Sequence, residues 1–125
     1  MPNREPTIAG APQPLLVWSE EDALFRSAVA AFARKEIAPR ARAMDEAGKL
    51  DATLLRQLFE MGLMGIEIPE EHGGQGGTLT QALLAIEEIA KADPAVAVVV
   101  DVQNTLVNYA LQRWGTEEQK RRWLP

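Results

Sequence analysis

Apolar residues return every three to four positions along most of the chain, and that rhythm predicts a succession of amphipathic helices. Leu24, Phe25, Ala28, Val29, Ala31 and Phe32 fall on one side of a first helix, which Ser19 and Asp22 can open as a capping box. Pro39 should break or bend it, because the residue before a proline is pushed out of the α region; Ala41 to Ala47 then form a second piece ending at Gly48. Asp51 can cap a short helix whose Leu54, Leu55, Leu58 and Phe59 share one face before Gly62 stops it. Thr78 can cap another through about Ala92, with Leu79, Ala82, Leu83, Ile86 and Ala90 as its inner stripe and Glu87, Glu88 and Lys91 facing outward. Asp93-Pro94 is a further start signal.

The stretch after Pro94 has two readings. Its valines favour a strand, yet no turn residue interrupts the chain before Gly115, and Leu106, Val107, Ala110, Leu111 and Trp114 keep helical spacing. Length decides for one helix of about 20 residues. Its first half is apolar on nearly all sides, which implies burial within a layer of helices. Gly115 is its expected cap, and Thr116 with Gln119 forms a capping box for a last short helix that Pro125 ends. The fold class is therefore all-α, a bundle of about five to six helices.

Residues 1–14 break the rhythm. Pro2, Pro6, Pro12 and Pro14 stand among almost no large apolar side chains, so this stretch reads as a disordered tail, and residues 15–125 as one domain. Composition narrows the class. A net charge of −5 argues against binding nucleic acid or an anionic membrane, which require a basic surface; the one basic cluster, Lys120 to Arg122, is short. The absence of cysteine excludes disulfides and thiolate metal sites. The longest apolar run, Ala95 to Val100, is too short to span a bilayer, and with no targeting pattern at the N-terminus the expected location is cytoplasmic.

Candidate chemistry is sparse. His72 is the only histidine and has no second ligand at metal spacing, so it reads as a solvated loop residue. Ser19 and Ser27 have no histidine nearby to activate them. The acidic residues come mostly as adjacent pairs, which do not face one another on a helix. Residues 61–77 form the most distinctive segment, an apolar turn leading into Gly73, Gly74, Gly76 and Gly77. Gly74-Gln-Gly76 begins a phosphate-binding pattern, but Leu79 stands where another glycine belongs, no lysine follows and no strand leads in. What remains is a wide turn, or a backbone amide contact at the start of the next helix. Asp101 interrupts an apolar run, and Asp101, Thr105, Asn108 and Gln112 fall on one stripe. That stripe is either a solvated outer face or a polar patch on the wall of a ligand cavity.

Four segments in order, Phe32 to Pro39 (FARKEIAP), Met61 to Gly74 (MGLMGIEIPEEHGG), Ile86 to Asp93 (IEEIAKAD) and Gly115 to Lys120 (GTEEQK), resemble the N-terminal helical domain of the flavin-dependent acyl-CoA dehydrogenases. The resemblance covers about Leu16 to Pro125, and Asp101 to Asn108 (DVQNTLVN) is most similar to the short/branched-chain type. It implies a longer protein in which a β-domain and a C-terminal helical domain follow. That protein would take an acyl-CoA substrate, remove a proton from its α-carbon and pass hydride from the β-carbon to FAD, with an electron-transfer flavoprotein as acceptor. The catalytic glutamate and most flavin contacts would lie in the later domains, so no catalytic residue is assigned here. The contribution expected of this chain is part of the acyl cavity, through Val99, Val100, Gln103 and Asn104, with Gly73 to Gly77 nearby as structural candidates. A homo-oligomer is also expected, since faces awaiting the other domains would leave apolar surface uncovered. The competing readings are a stand-alone helical interaction module, and the N-terminal bundle of a related acyl-CoA oxidase or flavin monooxygenase.

Overall fold

A computed structural model describes residues 17–124. The tail expected at residues 1–14 and the stop at Pro125 lie outside the described residues. Helix α1 (Glu20–Phe32) opens as the spacing predicts: the Ser19 hydroxyl accepts from the Asp22 N–H at 3.0 Å, and the Asp22 carboxylate accepts from the Ser19 N–H at 3.2 Å. Of the break or bend expected near Pro39, a break does not occur. Instead a π-helical segment (Ala33–Ile37) leads directly into α2 (Ala38–Ala47), and the Ala38 N–H reaches back five residues to the Ala33 carbonyl. In a regular α-helix the Pro39 ring would collide with the carbonyl four residues before it; a widened turn relieves that conflict and leaves proline in a first turn, where its missing N–H costs little.

Helix α3 (Ala52–Glu60) starts at Asp51, whose carboxylate accepts the Leu54 N–H at 2.9 Å. That bond to the charged form holds the Asp51 carboxyl below its usual range. Leu54 and Leu58 enter the core as expected, while Phe59 stays exposed. Helix α4 (Leu79–Ala90) begins at the Thr78–Gln81 capping box and packs against both α1 and α5 (Pro94–Asp101). Being flanked on two sides changes which residues it buries. The predicted inner stripe holds at Ala82, Ile86 and Ala90 but is corrected at Leu79 and Leu83, which are 55% and 56% exposed, while Gln81, Leu84, Ala85, Glu88 and Ile89 are buried in addition. Small Ala82 and Ala85 let neighbouring helices approach closely, a contact that counting large apolar residues does not detect.

Glu88 corrects the outward face as well. Only 8% exposed, it accepts from Arg26 of α1 at 2.6 Å and from Lys91 at 2.7 Å, bracing α1 to α4. The bond from Lys91, helped by Arg26, outweighs the penalty of burial and keeps the Glu88 carboxyl below its ordinary value of 4.5. A folded-state pKa below the unfolded one stabilises the fold above the unfolded value, and that stability is lost as pH falls through the folded value. Glu88→Gln should therefore melt several degrees lower than the parent at neutral pH, a cost of about 1–2 kcal/mol. The gap should close as the pH drops below 4.5. An equal gap at acid and neutral pH, in melting curves of both proteins, would rule the brace out.

From Pro94 the helix runs unbroken to Trp114, as length alone implied, but in three parts: α5, a π-helical segment (Val102–Asn108) and α6 (Tyr109–Trp114). Val96, Ala97 and Val100 are buried, while Val98 and Val102 remain exposed, so the all-round burial expected of this half is only partly met. Gly115 ends α6 in an extended conformation, and the Thr116–Gln119 capping box opens α7 (Glu117–Trp123). Every described element is helical.

Candidate functional site

The segment between α3 and α4, residues 61–77, is tied by its own backbone. A single 3-10 turn, Glu70–His72, lies within it. The N–H groups of Gly73, Gly74, Gln75, Gly76 and Gly77 donate in turn to the carbonyls of Glu70, Pro69, Gly65, Ile68 and Ile66, at 2.9, 3.2, 3.0, 2.9 and 2.7 Å. All five amides are used internally, so none is left to cradle a phosphate. These five positions do not fit the diphosphate of a dinucleotide cofactor.

Three more backbone groups of the segment are paired from the long helix. Asn104, 3% exposed, accepts the Ile66 N–H at 2.9 Å and donates to the carbonyls of Leu63 at 2.8 Å and Val100 at 2.9 Å. Asn108, also 3% exposed, donates to the Met64 carbonyl at 2.7 Å and accepts from Gln103 at 2.8 Å. The π register coincides with two side-chain bonds to the helix backbone. Asn104 and Thr105 each donate a side-chain bond to the carbonyl four residues back, on Val100 and Asp101, at 2.9 Å. Those carbonyls are the acceptors an α-helix would give to the backbone amides of the same two residues. Among the described residues no buried side-chain nitrogen or oxygen lacks a partner.

The polar stripe is neither one solvated face nor one cavity wall: Asn108 lines a cavity of about 250 Å³ and Gln112 a different pocket. Asp101 and Thr105 bond to one another at 3.0 Å, half-buried, and Asn108 faces inward. Gln112 borders a shallow pocket of about 270 Å³ with Glu67, Asn104, Tyr109 and Arg113.

The four residues expected at a ligand wall are dispersed. Val99, half-buried, lines a groove of about 670 Å³ with Met44, Leu50 and Val96. Gln103 lines a cavity of about 250 Å³ with Gly62, Met64, Gly65, Ile68 and Trp123. Val100 sits fully buried in the core, and Asn104, whose donors are engaged with backbone, borders the pocket of about 270 Å³. Side-chain direction along a helix with a π turn does not follow α spacing.

His72 is not the solvated residue its loop position suggested. Its side chain is 15% exposed, with Nε2 3.8 Å from Glu71, and it lies close enough to Glu117 to help hold that carboxyl down, behind the larger effect of Lys120. No group of three metal-binding side chains occurs among the described residues, and no described helix is long and apolar enough to cross a membrane. Asn108 is the buried position that spacing misassigned. Its signal was present: two asparagines four apart in an apolar helix, beside a long irregular segment whose backbone needed partners.

The family model for the acyl-CoA dehydrogenase N-terminal domain matches residues 19–125. A mitochondrial short/branched chain specific acyl-CoA dehydrogenase of Bos taurus is 45% identical over 112 residues, 90% of this chain and 26% of that protein. Among solved structures, butyryl-CoA dehydrogenase from Megasphaera elsdenii superposes with a TM-score of 0.80 at 29% identity, over 87% of this chain and 29% of that one. A glutaryl-CoA dehydrogenase from Mycobacterium smegmatis, in complex with FADH2, does so with a TM-score of 0.81 at 25% identity, over 86% and 28%. The chain thus spans about a quarter of the length of the curated relatives it matches.

Proposed function

This chain belongs to the acyl-CoA dehydrogenase family, matching its N-terminal domain, and we propose that it works as the helical wall of an acyl cavity in an FAD-dependent enzyme that desaturates an acyl-CoA thioester. The observation that carries this reading is the family match across residues 19–125, joined to a superposition on butyryl-CoA dehydrogenase over 87% of the chain. Flavin use runs in the family, where a relative is described with FADH2. When bound, the flavin would supply the hydride acceptor. The glycine segment here does not fit its diphosphate, so we assign its retention, and the base that takes the α-proton, to other parts of the protein. An electron-transfer flavoprotein is the proposed partner that reoxidises it.

The tasks left to these residues are shape and dryness. Val99 and Gln103 supply cavity surface, Val100 and Asn104 hold that surface from behind, and the ordered segment keeps water from the thioester. Leu79 and Leu83 on α4, with Val98 and Val102 on the long helix, leave apolar surface uncovered, and there we place contacts with further domains or a second copy in a homo-oligomer.

Two measurements test the reading. The 125-residue chain, purified alone, is expected to retain no flavin and to oxidise no acyl-CoA; a yellow protein with bound flavin would refute the assignment of the cofactor elsewhere. The reading frame should continue beyond Pro125 for about two further domains. A stop codon directly after Pro125 would favour the stand-alone interaction module instead.

A further inference from the structure

Gln103 ends a chain of amides whose polarity is set at its other end. The Met64 carbonyl can only accept, so Asn108 must present its Nδ2 there, at 2.7 Å. That orientation leaves the Asn108 Oδ1 facing Gln103, which must donate through Nε2, at 2.8 Å. The two residues are five apart, a spacing that an α-helix would set about 140° around its axis. The π register of Val102–Asn108 is what stacks them. Both also line the cavity of about 250 Å³ together with Met64, Gly65 and Ile68. The helix forms one side of that cavity, the glycine segment another, and the amide chain ties the two.

We propose that Gln103 is a positioning residue: acting through Asn108, it fixes the Met64–Gly65 backbone and so sets the width of the cavity for the apolar end of a ligand. As a statement about acyl chains this rests on the function proposed above; as a statement about the segment it does not. Asn108 with Gln103 in place has one amide orientation. Without that donor the buried Asn108 Oδ1 loses its partner, and the side chain can leave the Met64 carbonyl to pair it elsewhere, which frees the Met64–Gly65 backbone.

Amide hydrogen exchange at Gly65 and Ile66 in the full chain tests the positioning role, each variant being compared with the parent at the same pH. Gln103→Leu has no donor, and exchange should run about fivefold faster at both neutral and acid pH. Gln103→Glu keeps the shape but cannot donate when ionised, so it should match the leucine variant at neutral pH. Near pH 3, well below the ordinary glutamate value of about 4.3, its acid O–H can donate to Asn108, and exchange should return to the parent's rate. A role in packing alone would leave the ratio independent of pH. Parent-like exchange in the variants, or a Gln103→Glu ratio that is the same at both pH values, overturns the proposal. Should the leucine variant not fold, the shape-preserving glutamate variant carries the test alone. In the flavoenzyme that carries this domain, Gln103→Glu should raise KM for acyl-CoA about tenfold at neutral pH with kcat little changed. Altered exchange with an unaltered KM would keep the loop role and overturn the acyl reading.

Discussion

Asn104→Ala should lower the stability of the fold by about 3–4 kcal/mol, because three buried backbone groups lose their partner at once. The Ile66 N–H and the carbonyls of Leu63 and Val100 all bond to this one side chain. For a domain of this size the midpoint of thermal unfolding should fall by roughly 12 °C. Asn104→Asp should do no better. It keeps an acceptor for Ile66 but sets a second oxygen against two carbonyls. A solvated-face reading of the same helix expects almost no change, since surface substitutions usually stay within about 0.5 kcal/mol. A measured loss below about 1 kcal/mol for the alanine variant would therefore overturn the clasp.

Gly74→Ala should be comparably damaging, at about 3 kcal/mol or more, by a different mechanism. A methyl group at Gly74 would run into the carbonyl oxygen and Cβ of Ile68. Part of that obstruction is backbone and cannot swing aside. The segment would have to open, endangering the bond from Gly74 to Pro69 and the one from Gly76 to Ile68. Gly48 is the control. It adopts a left-handed φ of 57° at the end of α2 with nothing within 4 Å of an added methyl group, so Gly48→Ala should cost only about 1 kcal/mol. Similar denaturation midpoints for the two variants would show that the tight packing at Gly74 is unimportant.

Helix starts were legible wherever their cause was local. Ser19, Asp51, Thr78, Asp93 and Thr116 each bond a backbone amide two or three residues away, and a short sequence window contains both partners. The inner face of α4 was not legible in the same way. It depends on α1 and α5 flanking that helix from two sides, and on an ion pair between Arg26 and Glu88, which are 62 positions apart. Pro39 shows a third case, in which a correct local conflict was met by a widened turn that no window predicts.

The glycine-rich segment illustrates both limits. Its motif, with three others in order, was enough to place the chain in its family, and the missing lysine and strand argued against a phosphate loop. The sequence by itself determined the all-helical class, the cap positions and the family, because these rest on periodicity, on contacts a few residues long and on ordered motifs. Only the tertiary structure decided that the glycine amides bond within their own segment, that Asn104 and Asn108 clasp it from 38 to 44 positions away, and that a π turn brings Gln103 over Asn108. Buried backbone groups must be paired, and which side chain pairs them is fixed by where the folded chain brings them together.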